Sequence, residues 1–423
     1  MKKSVIALAA MAVVGGASAQ VTISGIMDAY VGSGNNYGQK YSVVGQSGAR
    51  TTTFKFNGVE DLGGGLRAVF QYEIQPQFVA SDGNAFNTAV NNQTAAAANA
   101  GSQAGSQNLP SGMTGKGYSY VGIQSNGLGN LHLGTNNSFG IPTFTSASGM
   151  FNTGVGSAYG VIVGSTSTNT FTRFEDSVHY ITPTMNGFRG SYLTNMKNDS
   201  QYGSTTGGIT SRRPAVTELG IEWKNGPAQI NAAMLKVKGS PNEATKFTTT
   251  SYNNYTPLSS DITTKTNTIS GSYNLGVAQV GAIRSTIVND AGFTLENSTG
   301  SSTLTSVSGK TDTKAQMLFA QMPMGAMRIG VSSGSVKVNN SPASVLNGMK
   351  TTFTGFAAEY DLSKRTYVYL RYQAGKAEAA NAATTIVNGG NNNLLTITTN
   401  GNSAAQLTNT TYNIGGVGIS HAF

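Results

Sequence analysis

Apolar and polar positions alternate with a period of two in segment after segment of this 423-residue chain, the spacing of β-strands rather than helices. In 66–74 (LRAVFQYEI), Leu66, Ala68, Phe70, Tyr72 and Ile74 share one face, and Arg67, Gln71 and Glu73 share the other. In 365–372 (RTYVYLRY), Val368, Leu370 and Tyr372 oppose Tyr367, Tyr369 and Arg371. In 51–57 Phe54 and Phe56 oppose Lys55 and Asn57, and in 217–223 Leu219, Ile221 and Trp223 oppose Glu218, Gly220 and Glu222. The final stretch (YNIGGVGISHAF) puts Val417, Ile419, His421 and Phe423 on one face and Gly418, Ser420 and Ala422 on the other. Chain ends usually fray; this one reads as a strand meant to be paired.

About sixteen such segments occur, and their connections fall into two classes. Short ones, rich in Gly, Asn or Pro, lie at 60–65 (EDLGGG), 125–129, 184–187, 225–226, 275–276, 323–325 and 362–364. Long polar ones are centred on 32–48, 76–115, 136–174, 197–213, 239–264, 288–312, 338–350 and 377–406. Their alternation places both termini on the short-turn side, the asymmetry of a sixteen-stranded antiparallel transmembrane β-barrel with short periplasmic turns and long extracellular loops. A barrel of that size encloses an aqueous channel, and closure requires the last strand to pair with 21–31.

Composition narrows the alternatives. Charged residues make up 11%, mean hydropathy is −0.17, and no stretch after the first nineteen residues approaches eighteen consecutive apolar positions, so spanning helices are excluded. There is no cysteine, so an exported chain must be held by an extended hydrogen-bonded framework instead of disulfides. Residues 1–19, with Lys2 and Lys3, an apolar run over 5–14 and the small-residue end Ala17-Ser18-Ala19, have the layout of a secretory signal peptide. Its removal leaves 20–423 as one barrel domain, with the formal charge falling from +9 to +7. Tyr360, Tyr369, Tyr372, Tyr273 and Phe423 are the aromatics expected in interfacial girdles.

Catalysis finds little to work with. His132, His179 and His421 are widely spaced, and no phosphate-loop, H-E-x-x-H or dinucleotide motif occurs, so the reading is a non-enzyme without catalytic, cofactor or metal residues. Basic residues are dispersed beyond Arg212-Arg213, which gives no nucleic-acid patch. A secreted β-rich adhesin would need a repeat of 20–50 residues, and none is visible. The Ala/Asn/Gln stretch at 91–108 is low-complexity loop.

Several stretches carry a family likeness in order: VTISGIMDAYV (21–31), FKFNGVEDLGGGLRAVFQYE (54–73), YVGIQSNGLGNLHLGT (120–135), DSVHYITPTMNGFRGSY (176–192), FAAEYDLSKRTYVYLRYQ (356–373) and GVGISHAF (416–423). On these the chain resembles the general porins of the Gram-negative outer membrane, of the β-proteobacterial and neisserial type. The resemblance implies a homotrimeric diffusion pore whose third long loop, 136–174, folds inward, and whose second, in 76–115, latches a neighbouring subunit. It also implies that the strand ending in Phe423 is read by the outer-membrane barrel assembly machinery. The sequence departs from the family in its basic ladder. Thr53 stands where relatives have an inward arginine before Phe-x-Phe, Gly117-Tyr118 replaces R-Q before the fourth strand with Lys116 beside it, and Gly134-Thr135-Asn136 replaces G-R-Q after the fifth.

Alternation places Lys55, Arg67, Arg189, Lys314, Arg328 and Arg371 inward, with Lys116 beside them, against Asp28, Glu73, Glu218, Glu222 and Glu359. Pores select by width and by charge rings. The excess of 27 Lys and Arg over 18 Asp and Glu leads to the expectation of passive diffusion of small hydrophilic solutes and ions with a weak anion preference. A substrate-specific channel on the same fold is the alternative. Lys197, Arg212 and Arg213 are candidates to meet outer-membrane lipid and lipopolysaccharide.

Overall fold

The computed structural model describes residues 20–36, 39–76, 78–79, 117–159, 162, 173–196, 215–239, 262–289, 294–295, 305–306, 311–339, 348, 350–378, 385–387, 396–398 and 411–423. The reading of 1–19, the low-complexity stretch 91–108, Lys116, Lys197, Arg212 and Arg213 lie outside them. The strands are β1 (Gln20–Asn36), β2 (Gln39–Gln46), β3 (Thr53–Gly63), β4 (Leu66–Ile74), β5 (Ser119–Ser125), β6 (Gly129–Asn137), β7 (Arg173–Ile181), β8 (Phe188–Asn195), β9 (Ala215–Asn225) and β10 (Ala228–Gly239). They continue with β11 (Ile262–Asn274), β12 (Gln279–Asn289), β13 (Thr294–Leu295), β14 (Thr305–Ser306), β15 (Thr311–Met324), β16 (Met327–Asn339), β17 (Lys350–Asp361), β18 (Thr366–Glu378), β19 (Thr385–Val387), β20 (Thr396–Thr398) and β21 (Thr411–Ala422).

Each wall strand pairs antiparallel with the next, and β21 closes the ring on β1 with Ile26 opposite Ala422 and Asn36 opposite Tyr412. β2 and β3 together fill one wall position, because β1 pairs with β3 over its first half and with β2 over its second. The wall therefore has sixteen positions, while β13–β14 and β19–β20 are small hairpins within two of the long connections. The short turns rely on left-handed glycines such as Gly226 (φ 53°) and Gly276 (φ 84°), a conformation a Cβ would strain.

Exposure follows the alternation. Val417, Ile419, His421 and Phe423 face outward while Ser420 is buried; Leu219 and Ile221 face outward while Glu218 is buried. Tyr273, Tyr360 and Phe423 ring the short-turn rim on the lipid side. Three expectations are corrected. The connection at 32–48 is not a long loop, since β1 runs to Asn36 and β2 begins at Gln39. The chain instead breaks at 47–52, with Ser47 at φ 60°, because Asp28 draws the backbone N–H groups of that segment to itself. Lys314 faces outward: Ala315 and Met317 on either side of Gln316 are buried inside, and Leu318 on the lysine's own face is exposed. Tyr369 belongs to no girdle, being 4% exposed inside the barrel.

The apolar packing lies within the lumen, where Phe144, Met150, Phe151 and Ile162 of the 138–162 segment meet Ile283, Met317, Phe319 and Phe353 of the wall.

Candidate functional site

The segment after β6 turns into the barrel and is held there by the wall. It forms α1 (Gly140–Thr145) and a single 3-10 turn (Gly149–Phe151). Pro142 lies in the first turn of α1, where a missing N–H costs nothing. The N–H groups that such a helix start leaves unpaired go to one carboxylate: Phe139 N donates to Glu218 Oε2 at 2.7 Å and Gly140 N to Oε1 at 3.3 Å, while the Ser138 hydroxyl donates to Oε1 at 2.6 Å. Glu218 is 1% exposed, so these donors replace the water it has lost.

Further attachments follow round the lumen. Asn231 Nδ2 donates to Ser146 Oγ at 2.6 Å, and that hydroxyl lies 3.1 Å from Ser270 Oγ. Met150 N donates to Gln321 Oε1 at 3.0 Å, and Gln373 Nε2 donates to the Gly156 carbonyl at 3.0 Å. Phe151 packs in the hollow left by Gly355, a position where a Cβ would crowd its ring. Tyr159 is packed edge-on against Phe144 at 5.1 Å, and burial pushes its phenol above the usual range, so it stays neutral. The tip of the segment meets the chain break at 47–52: Val155 N donates to the Gly48 carbonyl at 2.8 Å. Asp28, fully buried, fixes that break by accepting from Gly48 N at 2.6 Å, Arg50 N at 3.1 Å and the Tyr369 hydroxyl at 2.6 Å. The segment thus lies along the wall from β9 to β18 and ends against the break after β2, as a shelf at mid-lumen.

The charged side chains divide by role. Asp28 and Glu218 point inward as the alternation requires, yet both are sealed as anchors. Glu73 is 4% exposed and bridges Lys55 Nζ at 3.4 Å and Arg173 Nη2 at 3.3 Å. Glu359 is held between the buried Arg371 and Arg328, whose Nη2 also contacts Asp361 Oδ1 at 2.9 Å. Glu222 meets Arg189 Nη2 at 2.9 Å. On the cationic side the side chains of Lys55, Arg189 and Arg328 remain 39%, 37% and 41% exposed, and Arg67 is exposed near the short-turn rim, opposite Asp61 and Gln124. The acids are thus mostly covered and the bases reach water.

Two arrangements of side chains were not legible in the sequence. Arg50 and Arg328 flank the Tyr367 ring at 5.6 and 5.8 Å; the Arg50 position depends on the Asp28 break, which no local pattern signals. On the other wall Tyr118 and Tyr120 lie 4.6 Å apart, Tyr120 stacks on His132 at 3.9 Å, and His132 meets His179 edge-on at 6.3 Å. Histidines distant in sequence are direct partners across β6 and β7. The inward parity of both was readable; their register was not.

A family model described as Gram-negative porin matches residues 5–380. The chain belongs to the Gram-negative porin family. Among curated relatives, this porin is 46% identical over 90 residues to outer membrane porin protein 32 of Delftia acidovorans, covering 20% of this chain and 25% of that one. It is 27% identical over 270 residues to an outer membrane porin protein of Bordetella pertussis (strain Tohama I), covering 58% and 62%. The chain therefore spans less than two thirds of the length of either relative. Among solved structures it is similar to the anion-selective porin from Comamonas acidovorans, with TM-score 0.65 and 21% identity over 96% of this chain and all of that one. That likeness establishes the shared barrel fold. The porin is an outer-membrane β-barrel.

Proposed function

We propose that this porin lets small hydrophilic solutes and ions diffuse passively through its lumen, with a weak preference for anions. The observation that carries the reading is the unequal exposure of opposite charges. Asp28, Glu73 and Glu218 are nearly inaccessible, whereas Lys55, Arg67, Arg189 and Arg328 present their heads to the channel. In the Lys55–Glu73, Arg189–Glu222 and Arg328–Glu359 pairs a permeating ion meets the base first, while Asp361 is as exposed as Arg328, so the local potential is weakly positive although formal pore charge is close to balanced. The anion-selective character named for the Comamonas porin accords with this. Reversal potentials in a salt gradient across planar bilayers test it: a positive-pore signature is expected, and cation selectivity overturns it.

A substrate-specific channel is the second reading, favoured by the Tyr118–Tyr120–His132–His179 stripe, whose tyrosines are half-exposed to the lumen. Such a stack is a surface for flat or ring-shaped solutes. Saturable, solute-dependent current block favours this reading; unsaturated passage favours general diffusion.

The resemblance supports a homotrimer assembled with the barrel machinery. An apolar groove of about 680 Å³ on the outer face, lined by Val31, Val44, Leu370, Val417 and Ile419, gives a subunit contact somewhere to form. Conductance in three equal steps is the expected result. Residues 1–19 are read as a cleaved export signal, so sequencing of the mature protein should begin at Gln20.

A further inference from the structure

We propose that His132 and His179 form a site in the lumen wall for a divalent transition-metal ion such as Cu2+ or Zn2+. The inference rests on the lumen being open to water but not on which solutes pass, and it uses the ring nitrogens of the pair rather than ring faces on which a solute would stack. The two residues stand directly opposite each other on β6 and β7. Leu131 and Leu133 on one strand and Tyr180 on the other are exposed on the lipid side, so both imidazoles lie on the inner face, where they are only 3% and 5% exposed.

Each ring has one nitrogen tethered and one idle. His132 Nδ1 is 3.0 Å from the Tyr118 hydroxyl, and His179 Nε2 is 2.7 Å from Ser191 Oγ. The other nitrogen of each ring, His132 Nε2 and His179 Nδ1, is buried and has no hydrogen-bond partner among the described residues. A neutral imidazole carries one N–H and one lone pair. With the N–H donated to the hydroxyl oxygen, the lone pair is left on the unpartnered atom. Histidines that ligate metals are built this way: a hydrogen bond at one nitrogen fixes the tautomer and the ring orientation, and the other nitrogen meets the ion. Here the arrangement occurs twice, on adjacent strands.

Distance permits a shared ion. The ring centroids are 6.3 Å apart and the planes lie at 86°. An ion bonded to both nitrogens at about 2.0–2.1 Å in tetrahedral geometry sets such centroids about 5 Å apart. Side-chain rotation closes a gap of about 1 Å, because directly opposed residues of an antiparallel pair keep their Cβ atoms only about 4.5–5.5 Å apart. Tyr120, half-exposed to the lumen and stacked on His132 at 3.9 Å, is the cover an entering ion must pass. Among the described residues no further His, Asp or Glu enlarges the pair to a group of three, so water or a passing anion fills the remaining positions and binding is reversible. Imidazole nitrogen selects the ion: copper and zinc accept it, with Cu2+ the tighter, whereas Mg2+ and Ca2+ take oxygen. A bound ion adds its charge to the channel wall and so strengthens the pull on anions.

The test uses untagged, refolded porin with Cu2+, Zn2+ and Mg2+ as probes, read by titration calorimetry and by electron paramagnetic resonance of the copper form. The parent should bind Cu2+ more tightly than Zn2+, leave Mg2+ unbound, and show nitrogen splitting from two imidazoles. His132→Gln or His179→Gln should each cost about a hundredfold or more in Cu2+ affinity and reduce the splitting to one nitrogen; Tyr118→Phe and Ser191→Ala, which keep both ligands, should cost about 10–100-fold. In bilayers Zn2+ should move the reversal potential of the parent further toward anions than Mg2+ does at the same concentration. An oxygen-only copper spectrum in the parent overturns the proposal, and this result needs no variant to fold. Undiminished copper binding by the double His132→Gln/His179→Gln variant overturns it as well, as does a spectrum that is lost in His421→Gln instead, or a Zn2+ shift no larger than that of Mg2+. The copper spectrum is independent of the pore's own preference, so a cation-selective metal-free pore would defeat the channel reading and leave this site standing.

Discussion

Ser138 and Glu218 stand eighty residues apart in the chain and 2.6 Å apart in space. The contact fixes the point at which the inward segment leaves the wall. It also means that a residue which alternation places among the pore charges acts chiefly as an attachment.

Glu218→Ala should release the start of α1. Three hydrogen bonds to a charged acceptor are lost, each worth about 1.5–3 kcal/mol, and Phe139 N is left without its partner, while Gly140 N keeps only Ser138 Oγ at 2.9 Å. The barrel should still form, because its wall is held by the strand ladder. Single-channel recordings should show a larger and noisier conductance; an unaltered trace counts against this anchoring role.

Tyr369→Phe removes one donor to Asp28 while keeping the ring, and should cost about 1.5–3 kcal/mol. Asp28→Ala removes the acceptor of several donors and should cost more, freeing the 47–52 break and the Gly48–Val155 contact together. Unfolding temperature in detergent orders the two variants: parent above Tyr369→Phe above Asp28→Ala.

Selectivity should follow exposure rather than formal charge. Arg189→Gln and Arg328→Gln remove the cationic partners of Glu222 and Asp361 and one of the two of Glu359, and should move the reversal potential toward cations. The preference of the parent should weaken as salt rises from about 0.1 M to about 1 M, because the screening length shrinks from about 10 Å to about 3 Å. Glu218→Gln should shift it least of all the inward acids.

Phe423 is hydrogen-bonded in both directions to Gly25, at 3.1 Å each way, and its ring lies 5.4 Å from Phe54. Deleting Phe423 should lower the yield of assembled barrel far more than it alters the conductance of the pores that do form. Gel-shift assays of folded protein against single-channel recordings separate the two effects, and full assembly without Phe423 would refute its role as an assembly signal.

The wall was legible in the sequence almost strand by strand, because a side-chain period of two is imposed by the backbone itself and lipid on one face with water on the other keeps it visible. That period puts Lys55, Arg67, Arg189, Arg328 and Arg371 on the face opposite the exposed apolar side chains. It misassigned Lys314 because near the outer rim both faces become polar and the alternation loses contrast. The break at 47–52 was equally hidden, since it exists only where Asp28 on a neighbouring strand collects its N–H groups.

By itself, then, the sequence determined the closed antiparallel barrel, its two unequal rims and the pairing of its last strand with its first, because these follow from local alternation and connection length. Only the tertiary structure decided which inward charges reach water, that Glu218 and Asp28 are anchors, and that His132 meets His179. Each of these depends on register between strands and on a segment folded across many of them, and neither is encoded in any single stretch of chain.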